Sequence, residues 1–453
     1  MAIKTHPLFM TFSSGELSPK MEGRIDFDRY FAGCNKMLNW YCTPQGGAQT
    51  DPGSEYVASQ KEEDHKAQLI PFVYQALYPY MIEAGDLYMQ FYKYNETTHA
   101  PEQILVAPAG AAYSIVTPYA VADLPELRWI QTDTELMLFH PDHEPMTLTR
   151  TADNAWTLTE MTFIDGPYED AINTPVLTVS HTTAAATERV TNGGFTSDVS
   201  WTKGGADWTI SGNTAIHAAT GATTLSQDTG EVNGEIYRVT YTVVSITATK
   251  SITVSIGGTG GTARTAVGTY TEYLTAGAVT NLTFTPLDAT TAVTIDNVSV
   301  VKVLTLTAAT ALFEAGHVGS LWRIKVTAAY GYLKIESLVT GSETTVARAN
   351  TLPALDATGA ATAYMEGAWS NLNGWPATAC FHEGRLLLFG NAEHPSTVWA
   401  SKTAYYDDFT PGVDDDDAYS FTCSDLDVLR WGKAGKWLPM GAYSGEGTAV
   451  GGG

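Results

Sequence analysis

Short runs of alternating apolar and polar residues, separated by Gly, Pro, Asn and Asp, recur along most of the chain. Alternation with a period of two puts one face of an extended segment into a core and the other into solvent, so these runs predict strands. Between 67 and 165 the runs are QLIPFVYQAL, YPYMIEAGDLYMQFY, ELRWIQTDTELMLFHP, PMTLTRT and AWTLTEMTF. Gly85-Asp86 and Pro141-Asp142 divide two of them into hairpins. After residue 304 the style resumes in TALFEAGHVGSLWRIKV and YLKIESLV. It continues in strands expected at Arg385–Phe389, Thr397–Ser401 and Tyr419–Cys423. Helical spacing is rare. Its clearest case is 27–40, where Phe27, Tyr30, Phe31, Cys34 and Leu38 fall three and four apart behind a possible N-cap at Asp26, predicting one short amphipathic helix. Turns at Pro44, Gly46, Gly47, Pro52 and Gly53 follow it. The pattern predicts an all-β protein, as meanders of a propeller or as a sandwich.

Composition divides the chain further. From 186 to 303 the sequence is rich in Thr, Gly, Ala and Val and carries few charges. Asn192-Gly193 precedes Phe195, Trp201 and Trp208, and an alternating strand from Val293 to Val303 closes the segment. This organisation resembles jelly-roll modules related to carbohydrate-binding domains, so a β-sandwich inserted into a split β base is expected. The expected divisions are 1–58, 59–185, 186–303 and 304–453.

The whole chain of 453 residues has a formal charge of −24, yet 44% of it is hydrophobic and 11% aromatic. That apolar content excludes a disordered acidic tail, and the charge disfavours wrapping of nucleic acid. Four cysteines at 34, 42, 380 and 423 form no C-x-x-C pair and fit neither a disulfide framework nor a structural zinc site. The opening MAIKTHPLFMTF has no export-signal pattern, and no run approaches the apolar length of a membrane helix, so a soluble chain without stable membrane insertion is expected.

Catalytic signatures are sparse. Nucleophile elbow, phosphate loop, zincin motif and dinucleotide fingerprint are all absent from the sequence. Gly85, Gly166 and Gly319 read as turn formers, because no helix start follows them. His140-Pro141-Asp142-His143 offers imidazole and carboxylate ligands, but across a turn, and reads as a hairpin. Asp414, Asp415, Asp416 and Asp417, with Asp407 and Asp408 upstream, lack the alternation of a calcium loop and read as a solvated or channel-facing acidic patch. Asp207 and Glu231 would serve glycosidase chemistry only if the fold placed their carboxyls together. Trp201 and Trp208 have two readings, an exposed platform for stacking on sugars or sandwich core. No cofactor and no metal is expected.

The segment FSSGELSPKMEGRIDFDRYFAGCNKMLNWYCTPQGGAQTDPGSEYVA resembles the start of the tail nozzle proteins of short-tailed bacteriophages, also called tail tubular protein B or stabilization protein. The likeness is carried by Gly15, Leu17 and Pro19, by Tyr30, Gly33 and Cys34, by Pro44, Gly46 and Gly47, and by Pro52 to Ser54. Where that family carries arginines before the second proline, this chain has Gln49, Thr50 and Asp51. LMLFHPDHEPMTLTRTADNAWTLTEMTFIDGPY, HVGSLWRI and the 374–431 stretch extend the resemblance over most of 10–180 and 305–431.

The resemblance implies a non-enzymatic virion protein with a propeller-containing fold. Six copies would form a ring below the portal and adaptor, enclosing the channel through which DNA leaves as transient cargo. Tail fibres are further partners it suggests. Gly15, Leu17, Pro19, Tyr30, Gly33, Pro44, Gly46 and Gly47 would then belong to an assembly hook, and Asp414–Asp417 to the channel lining. Members of that family run considerably further, so either a second polypeptide completes the nozzle or this is a short variant. The alternative is a tail adhesin whose sandwich binds host glycans through Trp201 or Trp208. A capsule- or peptidoglycan-degrading enzyme is the remaining rival.

Overall fold

The computed structural model describes residues 10–449, apart from 55, 76–77, 107–109, 133, 174–176, 181–186, 352–354 and 356. The protein is all-β: among the described residues, its strands are accompanied only by three short 3₁₀ turns. The chain divides into two compact units, one comprising Met1–Gln60 with Asn95–Gln103 and the other Lys61–Tyr94 with Ile104–Gly453.

The helix expected over 27–40 does not form. A single 3₁₀ turn spans Tyr30–Ala32, Gly33 at its end is extended, and Gly33–Cys34 is already a strand. Two physical causes are visible. Arg29 supplies no capping side chain to that turn, and Phe27, Phe31 and Leu38 remain exposed, so no packed face repays helix nucleation.

The larger unit contains a run of antiparallel meanders. Gln68–Gln75, Tyr78–Gly85 and Tyr88–Asn95 form the first, extended by Ser114–Val116. Arg128–Gln131, Glu135–His140, His143–Ala152 and Ala155–Glu160 form the second. Thr378–His382, Arg385–Phe389, Thr397–Ala400 and Tyr419–Thr422 form the third, and Leu429–Gly432, Leu438–Ala442 and Glu446–Ala449 the fourth. Both expected hairpins are present. Gly85 pairs with Tyr88 across Asp86-Leu87, and His140 pairs with His143 across Pro141-Asp142.

Alternation explains how these sheets stack. In ELMLFH, Leu136 and Leu138 join Ile70, Phe72, Phe91 and Trp156 in one core. Met137 and Phe139 point the other way, into a core with Phe163, Trp369, Leu386 and Leu388. In RLLLF, Leu387 and Phe389 then face Leu429, Leu438 and Met440 of the fourth meander. A strand sandwiched on both faces must be apolar at successive positions, as these two are. These meanders are sheets of three to five strands stacked face to face, and the propeller expected from the sequence is not closed among the described residues.

The sandwich has two five-stranded sheets. One runs Trp208–Ser211, Thr214–His217, Val293–Ala308, Ile236–Ile246, Gly268–Thr275 in spatial order. The other runs Thr202–Lys203, Leu225–Asp228, Asn281–Pro286, Ile252–Ile256, Thr259–Gly260. Tyr237, Val239, Tyr241 and Val243 alternate inward along one strand, as its period-two pattern requires.

The strand Val293–Ala308 does not stop at the edge of the sandwich. Val293, Ile295, Val298 and Val300 belong to the sandwich core, while Leu304 and Leu306 belong to the next. There it pairs with Leu177–Val179 and with Val346–Thr351. The sheet continues through Tyr330–Leu338 and Leu321–Lys325 to Ala363–Glu366, and its opposite edge is Gly359–Ala360. The two edge strands are consecutive in the chain, so this sheet curls around one core containing Trp322, Ile324, Leu333 and Ile335. Trp322 stacks on Tyr364 at 5.6 Å and donates its indole N–H to Ser320. Position 303, where a division was expected, lies inside this unbroken strand.

A polar tie closes one end of the first two meanders. The Asp153 carboxylate accepts from Tyr80 Oη at 2.6 Å, Arg150 at 2.6 Å and Lys93 at 3.0 Å. Burial pushes this carboxyl up, but the three donors outweigh it and hold it at about 2. Because that value lies below the usual carboxylate range, the stabilisation is fully present above about pH 4 and disappears as pH falls towards 2. Asp153→Asn is expected to lower the melting temperature at pH 7. Thermal melts of both proteins should converge as pH drops from about 4 to 2; a gap that stays constant over that range would contradict the assignment.

Candidate functional site

The amino-terminal unit is held by backbone bonds around tight turns. Gly15–Glu16 pairs in parallel with Gly33–Cys34. Phe12 N–H donates to the Gly46 carbonyl at 2.7 Å, and Thr43 N–H to the Gly47 carbonyl at 2.8 Å, which closes the Pro44–Gly47 turn. The glycines are used for space and conformation. A Cβ at Gly33 would lie 2.5 Å from Leu17 Cγ. Gly46 has φ +90°, and a Cβ there would lie 2.3 Å from Thr11 Oγ1. Pro19 opens the 3₁₀ turn Pro19–Met21 behind Ser18, and Tyr30 Oη accepts from Gly23 N–H at 3.1 Å. The fold therefore brings Gly15, Leu17, Gly33, Gly46 and Gly47 into one knot, with Pro19, Tyr30 and Pro44 on its turns.

Between 10 and 60 the only buried described residues are Gly33 and Gly46. Met10 is 82% exposed, Ile25 70%, Phe31 65%, Leu38 63% and Trp40 51%. A groove of about 390 Å³ lies among Leu17, Pro19, Met21, Tyr30 and Phe31. Large apolar side chains are thus shown to water in one short segment, with no core beneath them among the described residues.

The acidic loop is organised from within by a cation that the sequence pattern did not reveal. Arg385 is 7% exposed. Its guanidinium donates to the carbonyls of Ser401 at 2.6 Å and Asp417 at 2.7 Å, and also to that of Asp415. The backbone thus wraps Arg385 while Asp414, Asp415 and Asp416 stay exposed. The Asp417 carboxylate accepts from Asp414 N–H and pairs with Lys402 at 3.0 Å, and both interactions hold it below the usual carboxylate range. Asp408 caps Thr410 N–H at 2.8 Å, while Asp407 is exposed. Among the described residues these carboxylates do not converge into a three-ligand cage. The available signal for Arg385 was a cation opening a run of apolar residues that is buried on both faces.

Trp201 and Trp208 are not a platform. They are 7% and 2% exposed. Trp201 packs on Phe195 and Phe284, and its N–H reaches the Asn192 carbonyl; Trp208 lies against His217 and donates to the Thr223 carbonyl at 2.9 Å. Bulk and a satisfied indole N–H make both of them core residues. Asp207 is engaged by Thr223 and Thr220, and Glu231 by Thr229, so each carboxylate is used locally. His140 Nδ1 accepts from Asp142 N–H at 3.1 Å, and His143 Nε2 meets the Asp123 carboxylate at 2.9 Å. Burial, then the adjacent His143, pushes the His140 imidazole below its usual range. These two histidines lock a hairpin end.

A cleft of about 780 Å³ opens where the sandwich, the curled sheet and the second meander meet. Apart from Gly166 and Gly319, read as turn formers, the sequence did not single out its residues, because they come from segments far apart in the chain. Lys334 bridges Glu144 at 2.9 Å and Glu160 at 3.3 Å, and Arg238 pairs with Glu336. Burial pushes the Glu144 and Glu336 carboxyls up against the pull of those cations. Thr240, Thr271 and Ser299 supply hydroxyls along the sandwich wall. With each carboxylate tied to a cation, the cleft is built as a charge-paired junction.

No family model matches the chain, and no curated protein does. Among solved structures it is similar to an exo-β-1,3-galactanase from Phanerochaete chrysosporium with galactose, at 11% identity over 52% of this chain and 68% of that one, with a TM-score of 0.18. It is also similar to dimeric latent PorU from Porphyromonas gingivalis, at 10% identity over 56% of this chain and 28% of that one, with a TM-score of 0.14. At such scores the likeness carries nothing about activity.

Two substitutions test these surfaces. Gly46→Val is expected to unravel the amino-terminal knot and leave the main melting transition in place, seen as rapid amide exchange confined to 10–50. Arg385→Met leaves the buried Ser401 carbonyl and the part-buried Asp415 and Asp417 carbonyls without their donor and is expected to cost about 1–3 kcal/mol. Urea unfolding would measure that loss, and amide exchange should rise over 414–418; unchanged exchange there would show that Arg385 does not hold the loop.

Proposed function

We propose that this chain is a structural subunit of the tail nozzle of a short-tailed bacteriophage. It is a non-enzymatic virion protein assembled in the host cytoplasm as a homo-oligomeric ring, six copies around, next to the portal and adaptor. The observation that carries the reading is the amino-terminal unit. It is ordered by backbone hydrogen bonds, it buries no large apolar side chain among its described residues from 10 to 60, and it coincides with the segment whose motifs resemble that family. A peptide of this kind gains stability only when its apolar residues are covered, which is how an assembly hook works.

The electrostatics agree with a conduit. With a charge of −24 per subunit, a ring repels the phosphates of DNA passing through it, which shortens contact with the wall. Asp414, Asp415 and Asp416, exposed on a loop fixed by Arg385, have the properties of lining groups. The burial of Trp201 and Trp208 removes the proposed basis for glycan stacking, so the adhesin reading has no aromatic platform at those positions.

Deleting residues 1–58 tests the proposal. Native mass spectrometry of the full chain is expected to show a closed oligomer. The truncated chain should remain monomeric with an unchanged near-ultraviolet spectrum from the sandwich and meanders. Rings formed by the truncated chain, or a full-length protein that stays monomeric at high concentration, would overturn it.

A further inference from the structure

At the start of the larger unit, three ligating side chains converge from two separate pieces of chain. Glu62 and His65 come from the turn KEEDHK, closed by His65 N–H donating to the Glu62 carbonyl at 3.2 Å. Asp86 comes from the tip of the hairpin formed by Tyr78–Gly85 and Tyr88–Asn95. The donor atoms of Glu62, His65 and Asp86 all lie within 4.8 Å of one another, and His65 Nδ1 is 3.0 Å from Glu62 Oε2. Among the described residues this is the one such group of three.

We propose that Glu62, His65 and Asp86 bind a first-row divalent cation, with zinc as its type. The chemistry of the donors favours that class: an imidazole with two carboxylates suits zinc, manganese or cobalt, whereas calcium takes oxygen ligands alone. Size agrees as well. Bonds of about 2.0–2.2 Å in a tetrahedral site set ligand atoms roughly 3.4 Å apart, so the trio needs only a small adjustment. One ligand is already oriented, because Asp86 Oδ1 accepts from Val121 N–H at 2.8 Å. The local charge favours a cation. Glu62, Glu63, Asp64 and Asp86 outnumber Lys61 and Lys66, and the Lys61 ammonium is placed over the Tyr88 ring at 4.6 Å. A bound ion would fasten the chain just after Gln60 onto a rigid hairpin, fixing the first residues of the larger unit. Three protein ligands leave the fourth position to water.

Isothermal titration of zinc into the full chain is the experiment, with cobalt absorption as an independent readout of coordination. Binding of one ion per chain is expected, together with a raised melting temperature. His65→Ala and Asp86→Asn should each weaken it by more than about tenfold, while Glu63→Gln, a neighbouring carboxylate outside the trio, should leave it within about twofold. All three positions are at or near the surface, so circular dichroism of the variants should match that of the parent. Absence of stoichiometric binding, or binding that both ligand variants retain, would overturn the proposal.

Discussion

Burial of one strand on both of its faces is the constraint on which the larger unit depends. Glu135–His140 and Arg385–Phe389 each separate two cores, so a single side chain changed there is felt by two sheets. Interiors packed this closely do not deform continuously. The meanders consequently hold one another in place, each of three to five strands turning an apolar face to the next. The polar ties at Asp153, Lys334 and Arg385 add direction to a stack whose cohesion is apolar.

What the sequence made legible follows from how local the cause is. Period-two patterning exposed the strands, the Gly-Asp and Pro-Asp steps exposed two hairpins, and the charge-poor, Thr-rich stretch exposed the sandwich. The helix over 27–40 failed because spacing reports only that an apolar face exists, not that anything packs on it. Trp201 and Trp208 show the same limit from the other side, since a core tryptophan and a sugar platform have the same letters. The cleft and the Glu62, His65, Asp86 group were illegible for another reason. Their members come from separate pieces of chain, distant strands in the cleft and a turn and a hairpin tip in the trio, so no local pattern shows that they meet. Arg385 was hidden because its partners are backbone carbonyls, and carbonyls have no residue type.

The amino-terminal unit and the remainder follow opposite physical strategies. The larger unit is stabilised by side chains removed from water. The smaller is shaped by backbone geometry, with Gly33 and Gly46 allowing close approaches that any Cβ would block, and it leaves its apolar side chains outside. For the assembly hook proposed above, a shape already specified leaves little ordering to be done on contact, which favours fast and specific docking.

The unbroken strand Val293–Ala308 has a mechanical consequence. In an antiparallel ladder the hydrogen bonds lie perpendicular to the strands, so a pull along the strand loads many bonds in shear instead of opening them one after another. Because the same strand is paired on both sides within the sandwich and again within the curled sheet, a force applied to the sandwich along it passes directly into the base. No flexible linker lies along that strand to absorb it, and the sandwich can act as a stiff lever.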